Sequence, residues 1–243
     1  MLKMCEHLAF IRQGVLSVVE SKVVGITNLN VKYPMTLSSK DHWNKIYTQN
    51  SITQLGWYEA RPFPSVQLIE RCAVPENYPV VDIGSGTSTL ISHLLEMGYQ
   101  NLCAIDISDV ALEKAKAILG EERAAQVHWM VDDITNPSTI LQLKNVAIWH
   151  DRAVFHFLIE EQHRQTYYSV LEEVVMPGGF IIMATFAMDG ATKCSGLPVQ
   201  RYSVENLCSF FGDRFRLVEC FDYTYRMPSG DLRPYVYARF QKI

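Results

Sequence analysis

The chain lacks several features that would direct it to other functions. Its 22 Lys and Arg fall short of its 26 Asp and Glu, leaving a formal charge of −4, so no basic field is available for nucleic acid. No apolar run approaches the roughly 18 residues of a membrane span, because the segment 8–19 is broken by Arg12, Gln13 and Gly14. No signal peptide is evident. The six cysteines (Cys5, Cys72, Cys103, Cys194, Cys208, Cys220) include no C-x-x-C pair and several fall in elements expected to be buried, which points to a reduced, cytoplasmic protein. His42, His93, His128, His150, His156 and His163 show no ligand spacing, so no metal is expected. Repeats and low-complexity tracts are absent too. With 243 residues, 48% of them hydrophobic, the chain suits one large α/β domain with ample core.

What is present is concentrated at 78–106. Val80, Val81 and Ile83 form a short apolar run of the kind buried in a parallel sheet, and Gly84 and Gly86 break it where a helical pattern starts at Thr87. A second strand ends in Asp106, 20 residues beyond Gly86, where a carboxylate can hold a ribose diol. An adenosine-containing ligand is the natural candidate. A dinucleotide turn, G-x-G-x-x-G, needs a third glycine for helix packing, and Thr89 stands there instead, which lowers the NAD reading.

Along the chain, residues 1–34 fit the rest poorly, and an extended N-terminus or a true start at Met35 would account for them; 1–37 is read as an N-terminal extension. Ser38 to His42 precede an apolar series at Trp43, Ile46 and Tyr47, predicting a short capped helix. Aromatics and prolines at 55–64 imply an ordered non-helical segment, with Trp57 and Tyr58 either closing over a ligand or packing. A helix is expected near 65–72. Helices are predicted at 109–119 and 160–175, and strands at 126–131, 145–149 and 180–186. The loop 187–202 is long and polar, as lids are. Ser203 caps a last helix, and strands at 215–221 and 235–240 flank a turn at Pro228-Ser229-Gly230-Asp231. The pattern predicts a Rossmann-like, doubly wound seven-stranded sheet, mostly parallel with one antiparallel strand.

Asp82, Asp106 and Asp133 thus stand at successive strand ends. This set resembles a class I S-adenosylmethionine-dependent methyltransferase, whose first motif, D-x-G-x-G-x-S/T, is matched from Asp82 to Ser88. The resemblance runs from about Asp41 to the C-terminus, making 38–243 the methyltransferase domain with a helical N-terminal lid. It is nearest to bacterial methyltransferase-domain proteins of unassigned substrate, through Trp149-His150-Asp151-Arg152-Ala153-Val154-Phe155-His156-Phe157 and Cys194-Ser195-Gly196-Leu197-Pro198. A more distant likeness is to eukaryotic lysine methyltransferases acting on translation factors.

The resemblance implies S-adenosyl-L-methionine as cofactor. Gly84 and Gly86, with Ser85 between them, would pass under it, and Asp106 beside Ile107 would accept from the ribose hydroxyls. Asp133 would accept from the adenine amino group and the Ile134 N–H would meet the ring; Asp82 would act near the methionine end and Trp57 close over the site. A carboxylate is the acceptor-only group that a diol and an exocyclic amine both require. After strand four, Asp151 is the first catalytic candidate, with His150 as a general base and Arg152 binding an anionic group or pairing with a carboxylate. His156 reads as a core histidine and Cys194 as loop packing, since methyl transfer from a sulfonium needs no nucleophilic thiol. The expected acceptor is a small molecule; a protein lysine, or a non-catalytic nucleoside-binding protein on the same fold, are the alternatives. The oligomeric state is not legible.

Overall fold

The computed structural model describes residues 38–243; the expected extension at 1–37 lies outside the described residues. In chain order the elements are α1 (Ser39–Gln49), α2 (Phe63–Glu70), β1 (Val80–Ile83), α3 (Leu90–Glu96), β2 (Leu102–Asp106), α4 (Asp109–Leu119), α5 (Glu121–Ala124) and β3 (Val127–Val131). There follow β4 (Val146–Arg152), α6 (Glu161–Val174), β5 (Val175–Phe186), the two-residue strands β6 (Lys193–Cys194) and β7 (Leu197–Pro198), α7 (Val204–Phe211), β8 (Phe215–Arg226) and β9 (Leu232–Lys242). Seven strands form one sheet in the order β3-β2-β1-β4-β5-β9-β8. Only β9 runs against the rest, pairing antiparallel with β5 and β8.

Alternation explains the layers. Side chains on a strand point to opposite faces in turn, and all of β1 and β2 is buried. Val81, Ile83, Cys103 and Ile105 join the cluster holding Tyr167 and Leu171 of α6 and Leu207 and Phe211 of α7. Val80, Leu102 and Ala104 join the opposite one, with Leu68 of α2 and Leu90 and Leu94 of α3. Ser38, Ser108 and Ser203 each accept a backbone N–H at the start of α1, α4 and α7.

Three elements differ from expectation for local reasons. After the glycine turn α3 begins at Leu90 rather than Thr87, because the Ser88 hydroxyl accepts from the Leu90 N–H at 3.0 Å and competes with a helical turn. Met176 to Gly179, expected as a break, belong to β5, whose pairing with β4 shifts register between Val146 and Ile148. The final hairpin is longer than predicted, since its ladder continues through Tyr223↔Tyr235 to Arg226↔Leu232. The loop 187–202 is gathered by the β6–β7 ribbon and a bridge between Ala187 and Tyr202. Among the described residues, no helix is long and apolar enough to cross a membrane.

Candidate active site

The strand order reverses between β1 and β4, and ligands in open α/β sheets bind at such a point, beyond the C-terminal strand ends. A cavity of about 600 Å³ opens there. Gly84, Asp106, Ile107, Asp133 and Ile134 line it from the β1–β3 side, Trp43 and Tyr47 from α1, and Cys194 and Leu197 from the ribbon.

The glycine turn is tight in its own right. Gly84 and Gly86 have φ of +59° and +50°, and a Cβ on either would meet Val154 Cγ2 or Tyr47 Oη at 2.1 Å. Glycine is thus required by the protein's own packing, quite apart from any ligand. Asp106 closes the turn: Oδ2 accepts from the Gly86 N–H and Oδ1 from the Ser108 N–H, both at 2.8 Å. A carboxylate oxygen has two acceptor positions, so each keeps one. Burial pushes the Asp106 carboxyl up to about 6, partly offset by these backbone donors.

At the end of β3 two adjacent carboxylates divide their tasks. Burial would raise Asp132, but hydrogen bonds from Ile140, Ser138 and Thr139 hold it below the usual range, so its oxygens are committed to the loop that follows. Asp133 accepts only from the Thr135 N–H and hydroxyl, both on Oδ1. Its other oxygen has no partner among the described residues.

Asp82 and Ser85 line a small adjoining cleft rather than the main cavity. Asp82 Oδ1 is 2.7 Å from His150 Nδ1, and His150 Nε2 is 2.8 Å from the Ser65 hydroxyl on α2. This buried chain joins β1, β4 and α2. Asp82 Oδ2 and Ser85 Oγ are buried with no partner among the described residues.

The three residues expected to be catalytic diverge. Asp151 is fully buried and does not line the cavity; it accepts from the Tyr167 hydroxyl at 2.8 Å and from the Val154 and Phe155 N–H groups. Burial pushes its carboxyl up to about 6 against those donors. His150 is enclosed between Asp82 and Ser65. Arg152 alone lines the cavity: it pairs with Glu59 at 3.1 Å, donates to the Trp57 carbonyl and the Tyr237 hydroxyl, and lies over the Tyr225 and Tyr235 rings. His156 is held neutral, down at about 3, by burial and then by Arg152 and Arg233. Cys194 lines the cavity as a thiol, since burial raises it further.

Sequence reasoning missed Ser65, Tyr47, Arg233 and Tyr235 as site residues. For Tyr47 a signal existed: it lies four residues after Trp43, which puts both on one helix face, and Trp43 packs edge-on against Trp57 and Phe157, centroids 5.8 and 5.1 Å apart. Glu59 and Ser65 meet β4 from far away in the chain, and no spacing announces that.

Comparison with known proteins gives matches over this region. Residues 80–179 match the family described as methyltransferase domain. A relative from Danio rerio, EEF1A lysine methyltransferase 2, is 29% identical over 198 residues, 76% of this chain and 78% of that protein. A solved methyltransferase of Anabaena variabilis, described as SAM-dependent, superposes with TM-score 0.66 at 16% identity, covering 84% of this chain and 93% of that one. The 1,6-didemethyltoxoflavin-N1-methyltransferase of Burkholderia thailandensis, solved with bound 1,6-didemethyltoxoflavin and S-adenosylhomocysteine, gives TM-score 0.59 at 15% identity over 84% of each chain.

Proposed function

We propose that this chain, a class I S-adenosylmethionine-dependent methyltransferase, methylates a small molecule enclosed in the cavity between α1, the β6–β7 ribbon and the strand ends. The observation that carries this reading is the cavity itself: of its volume of about 600 Å³ the donor would fill the part beside Asp106 and Asp133, and the remainder, lined by Phe157, Leu197, Pro198 and Met227, suits an apolar ligand of modest size.

The residues fit the donor. Asp106 has one acceptor position left on each oxygen, matching the two ribose hydroxyls. Asp133, with one oxygen unpartnered among the described residues, suits the adenine amine, and the Ile134 N–H the ring. The partnerless Asp82 Oδ2 and Ser85 Oγ suit the methionine end, with His150 holding Asp82 in position. Gly84 and Gly86 keep the turn low beneath them, and Ile107 and Trp57 bound the site. When bound, the donor supplies a methyl group on a sulfonium, so the protein's work is to align the acceptor and exclude water. Arg152 is the expected catalytic residue that faces the acceptor. Asp151 acts through the chain turn it fixes at Val154 and Phe155, as a positioning residue.

A protein lysine is the second reading, favoured by the lysine methyltransferase relative. Incubation with donor labelled at the methyl group and fractionated cell lysate separates the two: label is expected in the small-molecule fraction, and label in protein overturns the first reading. Calorimetry should show binding of S-adenosylmethionine and S-adenosylhomocysteine and none of NAD.

A further inference from the structure

The acceptor end of the cavity carries an arrangement that donor binding does not use. Arg233 and Tyr235 are two residues apart on β9 and therefore share a face, and Tyr235 pairs across the ladder with Phe186 of β5. The Tyr235 and Phe186 rings meet edge to face, centroids 5.1 Å apart. Arg152 Cζ lies 5.1 Å from the Tyr235 ring and Arg233 Cζ 5.3 Å from the Phe186 ring. Two guanidinium groups thus bracket a pair of rings, and all four side chains line the cavity. His156 packs beneath, its ring 4.3 Å from Phe186, and stays neutral.

The two arginines differ in what balances them. Arg152 has Glu59, in a pair whose side chains are 10% and 8% exposed. Arg233 is half-buried and, among the described residues, makes no ion pair and no side-chain hydrogen bond. The other titratable groups on this wall, Cys194 and Tyr235, are kept neutral because burial raises both. The cavity's carboxylates, Asp106, Asp132 and Asp133, stand at the ends of β2 and β3 on the donor side, and Glu160 is exposed at the rim. One positive charge on this wall therefore lacks an anion. A partly desolvated cation without a partner is unfavourable, and a guanidinium fork matches a carboxylate in two parallel hydrogen bonds.

We infer that the acceptor is a small, flat, apolar acid whose carboxylate is bound by Arg233, an assignment that rests on the small-molecule reading above. Phe186 and Tyr235, each 2% exposed, back the guanidinium groups, the half-buried Phe157 and Leu197 of the same lining meet the acid's apolar part, and a lysine acceptor would bring a second positive charge to a wall that already has one unbalanced. The anion takes no part in the transfer. A lone pair on the acceptor's heteroatom forms the bond to the methyl carbon, the methyl–sulfur bond breaks with its electrons remaining on sulfur, and the acceptor's proton is released to the solvent when the products leave.

The test uses the full chain saturated with S-adenosylhomocysteine, titrated with benzoate, benzamide and benzylamine and followed by calorimetry. Benzoate is expected to bind at least tenfold more tightly than benzamide, with benzylamine weakest. Arg233→Gln should abolish the preference, Arg233→Lys should retain part of it, and the S-adenosylhomocysteine affinity of both variants should stay within twofold of the parent, which also reports that they fold. Equal binding of the three probes, no binding of any, or a preference for benzylamine overturns the assignment. Methyl label recovered in protein instead overturns the small-molecule reading on which it rests, so the two failures are separate results.

Discussion

Each oxygen of Asp106 accepts a backbone N–H at 2.8 Å and retains a second acceptor position, so this side chain both shapes the glycine turn and is available to a diol. Asp106→Ala is expected to weaken S-adenosylhomocysteine binding by about 1.5–3 kcal/mol, the worth of a charged hydrogen bond, read as a rise in Kd by calorimetry. Because burial pushes the carboxyl up to about 6, the parent's affinity should also fall as the pH drops from 7.5 to 5, and Asp106→Asn should flatten that profile. At this scale the sequence was informative where chemistry follows directly from position. Carboxylates at strand ends beside a glycine turn have few other readings. The sequence reading takes Asp133 rather than its neighbour Asp132 for the adenine, but the loop at 138–140 folding back to occupy Asp132 has no signal in the sequence. Arg152 likewise could be read as a substrate ligand or as an ion-paired residue, and its pairing with Glu59 depends on a segment that no periodicity describes.

Helix α1 packs against α4, outside the two main clusters. Asn44 donates to Asp109 and accepts from the Ser108 hydroxyl, Lys40 pairs with Asp109 at 2.8 Å, and Tyr47 packs with Leu55 and Ala111 in a small cluster apart from the two main ones. Its aromatic face can therefore be altered without disturbing the core. Trp43→Ala removes the contacts with Trp57 and Phe157, worth about 0.5–1.5 kcal/mol each, so the melting temperature should move by only a few degrees, while the Kd for S-adenosylhomocysteine should rise several-fold because Trp43 lines the cavity. Elements of this kind were readable when their signals agreed: a serine cap and spaced apolar residues located α1, α4 and α7. Competing signals misled at 87–89, where the Ser88 hydroxyl delays α3, and at 176–179, where proline and glycine mark a register shift rather than an end. The short ribbon had no apolar alternation to reveal it.

For the whole molecule, the buried carboxylates set a pH dependence whose sign can be worked out. Asp106 and Asp151 titrate near 6 in the folded protein against 3.8 for the ordinary carboxyl. Between about pH 4 and 6 the native state therefore holds protons that the unfolded chain has released, and their contribution to stability falls as pH rises through that window. Asp132, held low, contributes in the opposite sense. Asp151→Asn isolates one part: the upward move of its carboxyl corresponds to on the order of 2–3 kcal/mol, so urea unfolding of the variant should show less loss of stability between pH 4 and 6.5 than the parent. The doubly wound sheet was legible because buried parallel strands are almost uninterrupted apolar runs between helices. The convergence of β4, α2 and β9 on one wall was not, since it arises only once the sheet is assembled. That assembly has a further consequence. Apart from the α1 and Trp57 wall, the residues proposed for the donor lie between Asp82 and Ile134, whereas Phe186, Arg233 and Tyr235, proposed for the acceptor end, come from β5 and the terminal hairpin on the other side of the strand-order reversal. On that proposal, descendants of such a chain would change what they methylate by rewriting the hairpin, and inherit the residues proposed for the donor intact.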